Sequence, residues 1–225
     1  MNLAATAHAR RRTPRKIFLL RLALGALVLI AAAWLFGAIA EDVVNHDAPL
    51  GAIDQDVATW LHAQATSSRT RLMFFVSDLS APLSVMAMTS VLAIVLLWKR
   101  QRSQLLLLVL AVPGGALLNV IIKHLVHRDR PIFEDPIQTL TSYSFPSGHA
   151  MGSTVFFGTL AAIAIWQVRD WRLGTLAIIA SALLVALICF SRIYLGVHYL
   201  SDVIAGFLAG VVWLGACLFA VAALR

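Results

Sequence analysis

Hydrophobic positions fall in long runs, and polar positions are gathered into the short stretches between them. The runs cover Ile17 to Ala40, Leu79 to Trp98, Gln104 to Ile122, Gly148 to Val168, Leu173 to Phe190 and Tyr199 to Leu224. Each is near the roughly 17 to 25 residues that a helix needs to cross a bilayer, so the pattern predicts six transmembrane helices and an all-α, polytopic bundle. Residues 41 to 77 break the rhythm with Asp42, Asp47, Asp54 and Asp56, and with Val57, Trp60 and Leu61 at helical spacing. That stretch reads as an interfacial helix between the first two spans, with a plain surface connector as the alternative. Pro113-Gly114-Gly115, inside the third run, predicts a kink or the close approach of a neighbouring helix.

Composition supports the membrane reading: 60% of the residues are hydrophobic and 13% charged, with a mean hydropathy of +0.84. The net charge of +7 does not lie in an aromatic-interleaved patch, which argues against nucleic acid as a partner. It lies at the ends of the runs. Arg10, Arg11, Arg12, Arg15 and Lys16 precede the first run, and Lys99, Arg100, Arg102, Arg169, Arg172 and Arg225 share its side. By the positive-inside rule that side is the cytoplasm. Residues 1–16 are then a basic cytoplasmic tail, and 17–225 form a single domain. A secretory signal is disfavoured because the first run exceeds a signal's apolar core of about 7 to 15 residues. Cys189 and Cys217 lie inside apolar runs and suggest neither a disulfide framework nor a metal site.

Basic residues remain on the other side too: Arg69 and Arg71 lie there, but most, with their histidine and aspartate neighbours, fall in three stretches. Ionisable groups within a membrane segment are costly and mark function. Lys123 and Arg130 are separated by six residues, and Pro131 disfavours helix at Arg130, which places the arginine at a helix end. His124, His127, Arg128 and Asp129 lie among them and read as supporting residues, with Arg128 pairing to Asp129. Pro146-Ser147-Gly148-His149 opens the fourth span, where free backbone N–H groups and the helix dipole attract phosphate. Ser147 adds a hydroxyl or an N-cap, and His149 a proton donor for a leaving oxygen. Arg192 offers a planar fork for phosphate oxygens. His198, four residues before Asp202, has its carboxylate partner on the same helix face and reads as a nucleophile or base held in one tautomer. His46 and His62 have no matching partners and receive no role.

The three stretches together, Lys123 to Arg130-Pro131, Pro146-Ser147-Gly148-His149, and Ser191-Arg192 to His198 and Asp202, resemble the signature of the type 2 phosphatidic acid phosphatase superfamily. The resemblance spans residues 123 to 202. It implies a helical bundle in which Lys123, Arg130, Ser147, Gly148 and Arg192 bind phosphate, His149 is the general acid, His198 the nucleophile and Asp202 its orienting partner. It implies a metal-independent phosphatase without cofactor, acting on a membrane lipid phosphate through a phosphohistidine. The expected setting is the bacterial inner membrane, with both termini cytoplasmic and the site facing outward. Undecaprenyl diphosphate is favoured slightly over phosphatidylglycerophosphate. The competing readings are a non-catalytic lipid-phosphate binder or transporter, which would be expected to lose one histidine, and an enzyme like the vanadate-dependent haloperoxidases, which are usually soluble and larger. A zinc hydrolase using His149, His198 and Asp202 is a further one.

Overall fold

The computed structural model describes residues 15–168 and 170–224; the basic tail up to residue 14, Arg169 and Arg225 lie outside them. Eight helices follow one another: α1 (Arg15–Asn45), α2 (Ala48–Ala63), α3 (Ser67–Asp78), α4 (Pro82–Trp98), α5 (Arg102–Val126), α6 (Gly148–Gln167), α7 (Trp171–Tyr194) and α8 (Leu200–Ala223). Five of them are long and apolar enough to cross a membrane, and α3 with α4, bent by 41° at their junction, make a sixth span if counted together. All described secondary structure is helical. The chain is a membrane protein of the expected all-α class.

Two boundaries differ from the sequence reading, each for a local reason. The polar stretch 41 to 77 holds more helix than one interfacial segment. α1 runs on to Asn45, α2 follows, and α3 begins the second span. Residues Leu79 to Ala81 break that span because Pro82 has no amide proton to continue the helix and is instead suited to a helix start. α5 stops at Val126, where His127 turns left-handed at φ 53°. Arg130 therefore stands three residues beyond that cap in a loop and not at the helix end.

α6 is the inner helix, packing on α7, α8 and α5. Its small residues explain how neighbours come so close. A Cβ placed on Gly206 of α8 would lie 2.6 Å from the Ser147 carbonyl oxygen at the start of α6, so only glycine lets the two helix ends meet there. The predicted close approach at Pro113-Gly114-Gly115 is made by Trp213, whose ring carbon would be 2.6 Å from a Cβ on Gly114 and whose indole N–H donates to the Ala111 carbonyl at 2.9 Å. Leu107, Ala111, Val155, Cys217 and Val221 form one core cluster; Val76, Phe156, Phe157, Val185 and Ile188 form another. Outward-facing residues such as Leu27, Trp34, Val91, Leu117 and Leu183 are exposed, as expected where lipid is the solvent. Trp98 and Trp171, 82% and 74% exposed, lie beside Lys99 and Arg172 at one end of the bundle and fit an aromatic belt at the interface.

Candidate active site

The opposite end gathers the polar stretches. The end of α5, the loop from 127 to 147, the start of α6, the end of α7, the turn from 195 to 199 and the start of α8 all meet there. Gly196 makes the last turn possible. Its φ of +70° favours glycine, and a Cβ there would meet the Phe133 ring at 3.0 Å.

His198 occupies that turn, 2% exposed, just before α8. Its Nε2 faces Arg130, whose Nη1 lies 3.3 Å away. A guanidinium can only donate, so Nε2 is the acceptor and Nδ1 carries the proton. Nδ1 is 3.5 Å from Asp202 Oδ2 and 3.3 Å from the Ser144 hydroxyl, which in turn donates to the same carboxylate oxygen. The expected histidine–aspartate pair is present, with Ser144 bridging it. Tyr199 N–H also donates to Oδ2, at 2.9 Å, so Asp202 is held in the first turn of α8, where the helix dipole favours a negative charge. Burial, opposed by Asp202, pushes the His198 imidazole down from 6.5 to about 4. It is neutral at pH 7, with the Nε2 lone pair outward from the Asp202 side.

The cations approach from three elements. Arg130 donates from Nε to the Ser142 carbonyl at 2.7 Å, from Nη2 to the Tyr143 carbonyl at 3.1 Å, and from Nη1 to the Val197 carbonyl. Burial lowers its pKa, and Asp202 counters that. Lys123, in the last turn of α5, donates to the Tyr143 and Ser144 carbonyls. Both cations thus brace the loop that carries Ser144. Arg192, in the last turn of α7, is 1% exposed. Its Nη1 donates to the Ser77 hydroxyl of α3, whereas Nε and Nη2 are buried without a hydrogen-bond partner among the described residues. Those two nitrogens form the side of the guanidinium that grips two oxygens at once, and buried donors of this kind are ordinarily satisfied.

Ser147 is the N-cap of α6, its hydroxyl accepting from Ala150 N–H at 3.4 Å, and its own N–H donates to the Asp202 carbonyl at 2.9 Å. That bond ties the α6 start to the α8 start. Gly148 leaves room for Asn119, whose Oδ1 would be 3.1 Å from a Cβ there and whose Nδ2 donates to the Pro146 carbonyl. His149, half-buried in the first turn of α6, feels Arg192, His198, Arg130 and Lys123 electrostatically. All eight residues singled out by sequence therefore lie at this one end, and both histidines share the field of Arg130 and Arg192.

Arg128 corrects the sequence reading. It pairs with Asp54 and Asp202, at 2.7 Å each, and not with Asp129. Asp129 is exposed, while Asp54 is almost wholly buried on α2. Sequence spacing does not single out Ser77, Ser144 or Asp54, because each is a common residue type outside any recognisable pattern. Only Asp54, at an i, i+4 and i+7 spacing from Ala58 and Leu61 on one face of α2, left a faint sign: a carboxylate on the face that is otherwise buried. His62, left without a role, stacks on Phe133 at 4.1 Å, and His124 and His127 set their edges against Tyr143.

The PAP2 superfamily model matches residues 103–224. Phosphatidylglycerophosphatase B of Bacillus subtilis is 33% identical over 106 residues, 47% of this chain and 52% of that protein. Undecaprenyl-diphosphatase of Sulfolobus acidocaldarius is 34% identical over 125 residues, 53% of this chain and 56% of that protein. The matched region thus spans about half the length of these curated relatives. Among solved structures, a transmembrane PAP2-type phosphatidylglycerolphosphate phosphatase from Bacillus subtilis superposes with a TM-score of 0.81 over 88% of this chain and 97% of that one. At 22% sequence identity that likeness is one of fold.

Proposed function

Because the chain belongs to the PAP2 superfamily, we propose that it is an integral-membrane lipid phosphatase, with residues 17–225 as one catalytic domain. The observation that carries the reading is the orientation of His198: Nδ1 towards Asp202 and Ser144, Nε2 towards the cations. In the proposed first step Arg130 turns its Nη1 N–H from His198 Nε2 to the bound phosphate, the freed lone pair attacks phosphorus, and the bond from phosphorus to the leaving oxygen breaks. His149, protonated once the bound phosphate's negative charge offsets the field of the cations, gives that oxygen its proton. Asp202 balances the positive charge that the attacking imidazole acquires. In the second step His149 takes a proton from water, the resulting hydroxide attacks the phosphohistidine, and the P–N bond breaks to release phosphate. Lys123, Arg130, Arg192, the Ser147 hydroxyl and the Gly148 backbone N–H bind the equatorial oxygens, where charge is greatest in the transition state.

This set of cations supplies the electrostatic stabilisation that a metal gives other phosphatases, so the proposed reaction needs no metal ion. The substrate is a lipid phosphomonoester or diphosphate, with undecaprenyl diphosphate placed ahead of phosphatidylglycerophosphate; the two named relatives act on one each by their names. The setting is the bacterial inner membrane. Lys99, Arg100, Arg102 and Arg172 cluster at the end of the bundle away from the site, which supports cytoplasmic termini and an outward-facing site.

The test is phosphate release by the purified protein in detergent, with chelator present, from undecaprenyl diphosphate, phosphatidylglycerophosphate, phosphatidic acid and lipid A. We expect release that persists in chelator and is absent from His198→Ala. No release from any of the four by folded protein would overturn the reading, and loss of activity in chelator would overturn metal independence.

A further inference from the structure

α2 shows in the sequence only as a short amphipathic stretch, yet it places a carboxylate deep against the site. Asp54 is 1% exposed, and both its oxygens are engaged. Oδ1 accepts from the Ser201 backbone N–H at 2.9 Å, and Oδ2 accepts from the Ser201 hydroxyl and from Arg128 Nη2, the latter at 2.7 Å. Ser201 is the second residue of α8, so Asp54 satisfies, from a different element, an amide left open by the helix start. Arg128 carries the contact onward. Its Nη1 donates to Asp202 Oδ1 and to the Ser201 hydroxyl, at 2.7 Å each, and its guanidinium lies 4.4 Å from the centre of the Tyr199 ring.

Asp202 is thereby divided between two tasks: Oδ1 is taken by Arg128, and Oδ2 by Ser144, Tyr199 N–H and His198 Nδ1. We propose that Asp54 is a positioning residue for the reaction: through Arg128 it fixes the rotation of Asp202, and so sets the His198 tautomer from α2, outside the three signature stretches. The proposal rests on the phosphatase reading for its catalytic consequence, and on the geometry alone for its effect on His198. Electrostatics explain why Arg128 needs a second carboxylate. Lys123, Arg130 and Arg192 already make this end of the bundle cationic, and an Arg128 paired only to Asp202 would leave its Nη2 donors free to compete for the phosphate. With Asp54 in place Arg128 spans two carboxylates and is committed to them. Burial disfavours its charge, but Asp202 and Asp54 outweigh burial and raise its pKa.

Asp54→Asn keeps an acceptor for the Ser201 N–H and removes the charge opposite Arg128. The measurements are kcat and KM on the most active lipid of the panel, and the 15N shifts of histidine in the resting, full-length protein. We expect kcat to fall roughly 10- to 100-fold, as when a mutation away from the chemistry misplaces a reacting group, with KM changed less than about threefold. The His198 signals should move from the Nδ1–H pattern towards a mixture of tautomers. Arg128→Gln should shift the same signals in the same direction, and the double variant should be no slower than the slower single one, because the two residues act in one chain of contacts. Unchanged His198 shifts in both single variants would overturn the proposal, as would losses of kcat that multiply in the double variant. If Asp54→Asn fails to fold, Arg128→Gln alone decides by its histidine shifts. If the wild type releases no phosphate from any lipid, the phosphatase reading falls while the tautomer measurement still decides whether Asp54 positions Asp202.

Discussion

At the scale of single residues the site is a set of donors and acceptors with few choices left open. A neutral imidazole has one of each, and Arg130 donating to Nε2 and the Asp202–Ser144 pair accepting from Nδ1 together remove the ambiguity. Histidine 15N spectra of the resting protein should therefore show His198 as the Nδ1–H tautomer, unprotonated until the pH nears 4; a protonated His198 at pH 6 would contradict the assignment. The sign for stability follows from the same values. The unfolded chain takes up this proton near 6.5 and the folded one near 4, so His198 costs no stability above 6.5 and draws the protein towards unfolding as the pH falls from 6.5 to 4. Arg192 yields a second prediction. Lysine keeps the charge but not the two-pronged side formed by Nε and Nη2. Arg192→Lys should lower kcat/KM by ~10²–10³-fold, in the range for loss of a preorganised oxyanion donor, and weaken inhibition by vanadate. Equal inhibition constants for the two proteins would show that the fork does not hold phosphate.

At the scale of elements, the site depends on how closely the starts of α6 and α8 meet. The Ser147 N–H bond to the Asp202 carbonyl and the contact at Gly206 join the phosphate-binding turn to the histidine's carboxylate. Gly206→Ala pushes a methyl group against a backbone oxygen that cannot rotate away. It should cost about 1–3 kcal/mol and lower kcat along with it. Gly152→Ala, on α6 with no atom within 4 Å of the added carbon, is the control that should leave both unchanged. Thermal unfolding in detergent and turnover on the same samples check the pair; equal effects from the two substitutions would rule out a special role for the contact. α2 and α3 belong to the same picture. One supplies Asp54 to Arg128, the other Ser77 to Arg192. α2, between the first two spans, and α3, the first part of the second, are thus both part of the site's framework.

For the molecule as a whole, the bundle separates two ends by charge and by task. One carries Lys99, Arg100, Arg102 and Arg172 on short connections, and the other carries the long loop from 127 to 147. A membrane-impermeant maleimide applied to intact cells should label Asp135→Cys, and should reach Gln101→Cys only after permeabilisation. The reverse pattern would invert the proposed topology.

What could be read in the sequence was whatever depends on spacing along the chain. Hydrophobic run length predicts the spans, because a bilayer demands a fixed number of apolar residues. The eight site residues stand out because ionisable groups are rare and costly in such a chain, and their signature spacings are local. Local spacing also misleads: it pairs Arg128 with its neighbour Asp129 and carries the helix to Arg130. Tertiary structure decided both, through the left-handed turn at His127 and through Asp54, 74 positions away from Arg128. It alone showed Ser144 between His198 and Asp202, and Ser77 on Arg192. Serine and aspartate are common in any loop or helix end, and their importance here comes from distances across the bundle, which no periodicity along the chain encodes.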